Sequence, residues 1–453
     1  MPLVLYYTET SPPTRSVDLV IHALGLTAEH KEVDLFSNEH LSPDFLKINP
    51  LHTIPAVDDN GFILWGSQPI NTYLVSKYGK DDSLYPKDLQ KRAIVDQRLH
   101  YSNDVFCALK MAARPVLFST AKPTQEALEK MKEVQENVEK LLTGHKFIAG
   151  DHLTLADYSY VTFMDVYEVF VPAGDKFPLT KQWFARCKST MKDFDKVNTV
   201  GANKLIANLK QKLIYCSSSR VRVGKKFCFL SHLFKFIAMS LILYYFEASP
   251  PVRSVDLVIH ALGINDEHKC MDIPKKEQMT PEFLKINPLH TVPAIDDDGY
   301  TLGGSQAIAT YLADKYGQDD SLYPKDLQKR GIVDQMLFYS EDVFCLSKDI
   351  LAPLLHDGIQ PTPEMLGKVK EVQGNVERLL TGRDFIAGDN LTLADFSFIT
   401  TVDVFELFCP TGNKYPLTKE WIRRCKTTMK DFDKTNKKGA DLILGLIKNA
   451  LTN

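Results

Sequence analysis

The chain repeats itself. Ser11 and Ser249 are 238 positions apart, and so are Asn49-Pro50-Leu51-His52-Thr53 and Asn287-Pro288-Leu289-His290-Thr291. The offset runs from Met1 and Met239 to Gly201 and Gly439 without an insertion or deletion. Solenoid modules span roughly 20–50 residues, so a unit of this size is a whole fold, and the 453 residues are two copies of one architecture.

Composition excludes several classes. With 44% hydrophobic and 25% charged residues the chain is an ordinary globular sequence. A net charge of -3 gives no global field to attract nucleic acid or an anionic membrane. The eight cysteines fall in no CxxC or other close metal-ligand spacing, so reduced thiols, a cytoplasmic location and no metal are expected. The first apolar run is too short for a secretory segment and has no basic stretch before it, so no signal peptide is expected.

Between the copies, Cys216 to Ala238 has no counterpart, carries five basic residues and no acidic one, and reads as a linker or an insert. Residues 227–246 are apolar enough to raise a membrane span. Lys235 and His232 lie within it, however, and Leu241 to Phe246 are needed as the first strand of copy 2, so a span is not expected. Trypsin is expected to cut the linker first, at Arg220, Arg222, Lys225 or Lys226.

Within copy 1, an apolar run from Leu3 to Tyr7 reads as a strand, and Val17, Val20, Ile21 and Leu24 then follow helical spacing. Ser11-Pro12-Pro13 stands at the junction, where Ser is a natural N-cap and proline at the first helical position costs nothing. Gly25 ends the helix. A second strand is expected over His30–Leu35, a short helix from Ser42-Pro43 to Ile48, and a strand over Thr53–Val57. A hairpin turn at Asn60-Gly61, a strand at Phe62–Leu64 and a helix from Ser67 complete an α/β unit of three or four strands. After Asp82-Ser83-Leu84-Tyr85-Pro86 the pattern is all-helical, with a capping-box start at Thr154-Leu155-Ala156-Asp157. At this level Ser11 is a structural cap or an anion-holding hydroxyl at a helix end, and His52 is a loop histidine or a ligand.

Taken together, Ser11-Pro12-Pro13, Asn49 to Pro55, Gly66-Ser67-Gln68, Asp82 to Asp88 and Leu153 to Asp157, each present twice, resemble the cytosolic glutathione transferases, most of all the insect delta and epsilon classes and epsilon in particular. The resemblance implies a thioredoxin-like domain followed by a helical C-terminal domain, the pair repeated: residues 1–80 and 88–215, the linker 216–238, then 239–318 and 326–453. It implies conjugation of the glutathione thiolate to hydrophobic electrophiles in detoxification or stress metabolism, with glutathione as co-substrate and no prosthetic group. Family members dimerise, so either the two copies pair within one chain or chains form homodimers.

Carried over by position, the resemblance makes Ser11 and Ser249 the thiolate's hydrogen-bond partners. His40, His52, Thr53, Ile54, Pro55, Ser67 and Gln68 would bind glutathione in copy 1, and His290, Thr291, Val292, Pro293, Ser305 and Gln306 in copy 2. His52 and His290 would meet the glycyl end, Ile54 and Val292 the cysteinyl backbone, and Ser67 and Ser305 the γ-glutamyl carboxylate; Pro55 and Pro293 would be cis. Tyr6 and Tyr7 remain core aromatics or, in the manner of tyrosine-type relatives, alternative thiolate partners. Arg15 and Arg253 are expected in structural salt bridges. The electrophile pocket would be lined by Tyr101, Asp104, Val105, Phe106, Lys110 and Arg114, and in copy 2 by Tyr339, Asp342, Val343, Phe344, Lys348 and Ala352; core packing accounts for the aromatics nearly as well.

Two departures stand out. Gly66 and Gly304 occupy the place where the family usually has the acid that meets the γ-glutamyl ammonium, and Gly66→Glu is expected to tighten glutathione binding. His40 becomes Gln278, so copy 2 is expected to bind glutathione more weakly. The rival function is a binding protein for hydrophobic ligands on the same fold, with weakened catalysis.

Overall fold

The computed structural model describes residues 3–119, 121–214, 241–410 and 412–452, which form two compact units, one on either side of residues 215–240. The linker with its four trypsin sites, and most of the apolar run 227–246, lie outside the described residues. Among those described, no helix is long and apolar enough to cross a membrane.

In the first unit, β1 (Leu3–Tyr7) is followed by α1 (Pro12–Leu24), β2 (Ala28–Glu32), α2 (Pro43–Ile48), β3 (Ala56–Asp59), β4 (Phe62–Trp65) and α3 (Ser67–Tyr78). The four strands form one mixed sheet in the order β2-β1-β3-β4. β1 pairs parallel with β2, Leu3 opposite Ala28, and antiparallel with β3, Leu5 opposite Val57. The hairpin closes at Asn60 and Gly61, both at positive φ, as a tight two-residue turn requires. Gly25 ends α1 at φ 68.

Two strand boundaries differ from the sequence expectation. β2 is an edge strand, and its ladder lasts only as long as β1 does, ending where Tyr7 faces Glu32. β3 begins at Ala56 instead of Thr53, because Pro55 has no N–H to give the ladder.

The helical part comprises α4 (Leu89–Ser119), α5 (Gln125–Leu141), α6 (Leu155–Phe170), α7 (Pro178–Thr190) and α8 (Val200–Ile214), the last entered through a π-helical turn at Asp195–Thr199. α6 is its axis, with Tyr160, Phe163 and Tyr167 almost wholly buried. Its start is held by Asp157, which accepts hydrogen bonds from the Thr154 and Ile148 N–H groups at 2.8 and 2.9 Å and from Trp183 Nε1 at 2.8 Å. The capping box is thus joined to α7 and to the preceding loop. Arg15, 2% exposed, reaches from α1 into this bundle, donating to the Thr162 carbonyl at 3.0 Å and to the Asn198 side chain, with Asp165 at 3.4 Å.

The second unit repeats this order: β5 (Leu241–Tyr245), α9 (Pro250–Leu262), β6 (Asp266–Cys270), α10 (Pro281–Ile286), β7 (Ala294–Asp297), β8 (Tyr300–Gly303) and α11 (Ser305–Tyr316). Then come α12 (Leu327–Asp357), α13 (Pro363–Leu379), α14 (Leu393–Phe408), α15 (Pro416–Thr428) and α16 (Lys438–Thr452). Asp395 is bonded by Ile386, Thr392 and Trp421 as Asp157 is by its partners.

Candidate functional site

Ser11 is the N-cap residue of α1, extended at φ -76 and ψ 117, yet its side chain makes no cap hydrogen bond; Ser249 repeats the arrangement on α9. The sequence removes one of the two usual partners. An N-cap hydroxyl usually bonds the second or third helical N–H, and Pro13 or Pro251 has deleted the second. Both serines are half-buried.

The neighbouring tyrosines are engaged elsewhere. Tyr6 packs edge-on against Phe45, with Lys31 over its ring, and Tyr7 packs edge-on against His30. Burial, then Glu32, Glu9 and Asp18, raises the Tyr7 pKa, which makes its phenol a poorer acid.

The loop after α2 is shaped by Asn49, fully buried, whose amide donates to the Thr53 carbonyl and hydroxyl at 2.7 and 2.9 Å and whose oxygen accepts from the Leu51 N–H at 2.9 Å. This clamp presents His52 at φ 48 and leaves Thr53 exposed. Ile54-Pro55 and Val292-Pro293 are cis peptides. Asn287 clamps Thr291 in the same way and holds His290 at φ 49. The role of Asn49 was missed at the sequence level, although a buried amide beside a turn is a recognisable signal.

The His40 ring stands 6.0 Å from that of His52. Burial, with His52 nearby, lowers the His40 pKa, so its imidazole is neutral near pH 7, and its buried Nδ1 has no hydrogen-bond partner. In the second copy the Oε1 of Gln278 is likewise buried without a partner.

Ser67 and Gln68 begin α3. The Ser67 hydroxyl donates to Gln68 Oε1 at 2.9 Å, and Gln68 Nε2 donates to Ser102 Oγ on α4 at 2.9 Å, so the glutamine bridges the two domains. Ser305, Gln306 and Ser340 form the same relay. Gly66 precedes it at φ 89 and Gly304 at φ 90, conformations that L side chains rarely adopt, and a Cβ on Gly66 would sit 3.2 Å from Pro69 Cγ. The backbone there favours glycine, so a side chain in Gly66→Glu would be strained.

The expected pocket residues separate into two groups. Val105 is 0% exposed, its carbonyl accepting from Tyr167 on α6, and Val343 is buried too, so both belong to the core and line no open pocket. Tyr101 and Tyr339 are half-buried, and their hydroxyls accept from Asn137 on α5 and from Asn375 on α13. Phe106 stacks on Phe163 at 5.3 Å, with Lys110 over its ring at 4.7 Å. Phe344 is half-buried, while Arg114, Lys348, Asp342 and Ala352 are exposed. Sequence reasoning missed Phe118, one turn beyond Arg114, whose ring meets Phe36 from the loop after β2 at 5.8 Å. These two phenylalanines, 59% and 66% exposed, join the rims of the two domains; Pro274 and His356 stand in their places in the second copy.

The family described as "Glutathione S-transferase, N-terminal domain" matches residues 5–82 and 243–320, and "Glutathione S-transferase, C-terminal domain" matches residues 101–190 and 344–427. Glutathione S-transferase 1 of Manduca sexta is 41% identical over 208 residues, 44% of this chain and 94% of the relative. Glutathione S-transferase D7 of Anopheles gambiae is 36% identical over 213 residues, 46% of this chain and 98% of its own. Among solved structures, an epsilon-class glutathione S-transferase from the housefly, Musca domestica, is 41% identical with a TM-score of 0.45, covering 46% of this chain and 98% of that one.

Proposed function

Because the chain belongs to the glutathione S-transferase family, with both of its domain types present twice, we propose that it conjugates glutathione to hydrophobic electrophiles at two sites, with Ser11 and Ser249 holding the thiolate. The observation that carries this reading is the cap that does not cap: each serine occupies a helix N-terminus while its hydroxyl makes no bond to the first turn.

The mechanism follows from that position. A free thiol of pKa about 8.5 is only a few per cent thiolate at pH 7. A donated O–H at the positive end of a helix favours the charged form. Lowering the pKa by about 2 units supplies roughly 2.7 kcal/mol and raises the reactive fraction about 25-fold. Holding thiolate and electrophile together supplies further acceleration as effective molarity.

Glutathione enters as co-substrate. In the proposed binding mode, Ile54 and Val292, just outside the strand ladder, pair with its peptide backbone. His40, His52 and Thr53 receive the glycyl end in copy 1, His290 and Thr291 in copy 2, and the α3 and α11 N-termini at Ser67 and Ser305 take the γ-glutamyl carboxylate. Gln68 and Gln306 act by bridging these helices to α4 and α12. The electrophile side of copy 1 is assigned to Phe106, Lys110, Arg114 and the Phe36–Phe118 rim. The proposal places the chain nearer the epsilon class, by His40, and in the cytoplasm, by its thiol usage.

A second reading, a carrier of hydrophobic ligands, is favoured by Gly66 and Gly304, which offer no carboxylate to the γ-glutamyl ammonium. Glutathione-affinity capture followed by a conjugation assay of Ser11→Ala, Ser249→Ala and the double variant decides. Loss of turnover in the double variant with glutathione still bound supports the enzyme; tight ligand binding with no turnover in the parent chain supports the carrier.

A further inference from the structure

In the second unit three potential ligand atoms converge where α9 meets the edge strand β6. His268 Nε2 lies 3.1 Å from Asp256 Oδ1 and 2.9 Å from Asp266 Oδ2, and atoms of the three residues all fall within 4.8 Å of one another. A tetrahedral ion with bonds of about 2.0–2.1 Å sets its ligand atoms about 3.3 Å apart, so the spacing suits one ion among them. His260 stands beside the set, not in it: its Nε2 is 4.0 Å from Asp256 Oδ1, and its Nδ1 is 3.1 Å from Asp431 Oδ2.

Hydrogen bonding leaves the cluster incomplete. His268 Nε2 makes its hydrogen bond with Asp256 Oδ1 at 3.1 Å. Asp266 Oδ2 is buried and receives no well-directed hydrogen bond, although the same nitrogen is near it. The first unit supplies the contrast. Asp18, His22, His30 and Asp193 reproduce the ion pairs, but Ala28 stands where the second copy has Asp266.

We propose that Asp256, Asp266 and His268, with solvent completing the coordination, bind a zinc-class divalent cation in the second copy alone. Mixed imidazole and carboxylate donors suit zinc and its first-row neighbours better than calcium or magnesium. On binding, the ion displaces the His268 proton to solvent and coordinates the neutral ring nitrogen; no redox step is involved. The ion would staple the edge strand to the helix whose first residues follow Ser249. Sequence spacing concealed the site because its ligands come from a helix and a strand and converge only in the fold.

The test is calorimetric titration of zinc chloride into the untagged, chelator-stripped full chain, without glutathione. One tight equivalent per chain is expected. Asp266→Ala, which gives the second copy the residue that the first already carries, lowers the affinity at least tenfold, and Ala28→Asp adds a second equivalent. Cobalt in place of zinc shows tetrahedral d–d bands with no thiolate charge transfer. No uptake at micromolar zinc would leave the cluster as a protonated-histidine ion pair and overturn the proposal. Equal affinity in Asp266→Ala, or a thiolate band marking cysteine ligation, would overturn it as well.

Discussion

Gly201 stands against the carbonyl oxygen of Glu9, so near that a Cβ built on the glycine would lie 2.1 Å from that oxygen. Gly439 and Glu247 repeat the relationship at 2.0 Å. Lys204 reinforces it by pairing with the Glu9 carboxylate. The first turn of α8 therefore holds the short loop that delivers Ser11. Gly201→Ala is expected to destabilise copy 1 by about 1–3 kcal/mol and, by shifting the loop, to lower its turnover about tenfold or more. The measurement is turnover and urea denaturation in a Ser249→Ala background, where only copy 1 is active. Wild-type turnover in that variant would mean that the loop is fixed without α8.

Ser11→Ala, again with Ser249→Ala, is expected to reduce kcat/KM at pH 7 by roughly 10- to 30-fold, the size of the thiolate fraction at stake. Glutathione affinity changes little, and the pH profile of the residual activity moves upward. Retained activity in this double variant, lost instead on Tyr6→Phe or Tyr7→Phe, would transfer the role to a tyrosine.

At Gly66 two effects oppose each other. The φ of 89 makes any L residue strained, a cost of about 1–3 kcal/mol, while a carboxylate there would meet the γ-glutamyl ammonium. Gly66→Glu is expected to unfold at lower urea than the parent and to gain less than tenfold in glutathione affinity. Unchanged stability with a hundredfold gain would show that the backbone relaxes freely.

Asp157 gives a pH dependence of defined sign. Burial pushes its pKa up to about 6, against the hydrogen bonds from Ile148, Thr154 and Trp183, and Asp395 behaves alike. An unfolded Asp titrates near 3.9, so between about pH 4 and 6 the folded state holds protons that the unfolded state has released. Each site's contribution is thus fully present below about pH 4 and is lost as pH rises through about 6, on the order of 3 kcal/mol. Asp157→Asn abolishes that slope for copy 1. It also costs about 2–4 kcal/mol, because the amide turns a donor toward N–H groups that need an acceptor. Urea midpoints from pH 4 to 7 check both; a variant with the parent's slope would place the titration elsewhere.

Assembly is a separate expectation. The 23 residues from Cys216 to Ala238 span up to about 75–80 Å when extended, and tethering raises the mutual concentration of the copies to roughly millimolar. Pairing within one chain is therefore expected at low concentration. Light scattering at micromolar protein should give the mass of a single chain; twice that mass, persisting on dilution, would show pairing between chains.

The order of elements was legible in the sequence because punctuation and periodicity agree: Pro12 and Gly25 bracket a helix whose apolar positions keep its period, and Asn60-Gly61 separates two apolar runs. The place of Ser11 at a helix start, before its two prolines, was legible for the same reason, whereas the Asn49 clamp that sets the His52 backbone was not. What failed was facing. Along the 31 residues of α4 a small error of phase moves a side chain from rim to core, which is why Val105 was expected in the pocket and Phe118 was not. The Phe36–Phe118 contact joins residues of different domains, and no local pattern announces it. The glycine backbone at Gly66 was equally hidden, since the sequence shows the missing acid and not the φ that accompanies it.

Each half has its own core, its own serine-capped helix and its own rim, yet both are translated from one message. A cell that makes this chain makes the two sites in a fixed one-to-one ratio, which no promoter can alter. Any division of labour between them must be written in side chains, as at Phe36 and Pro274, His40 and Gln278, or Arg114 and Ala352.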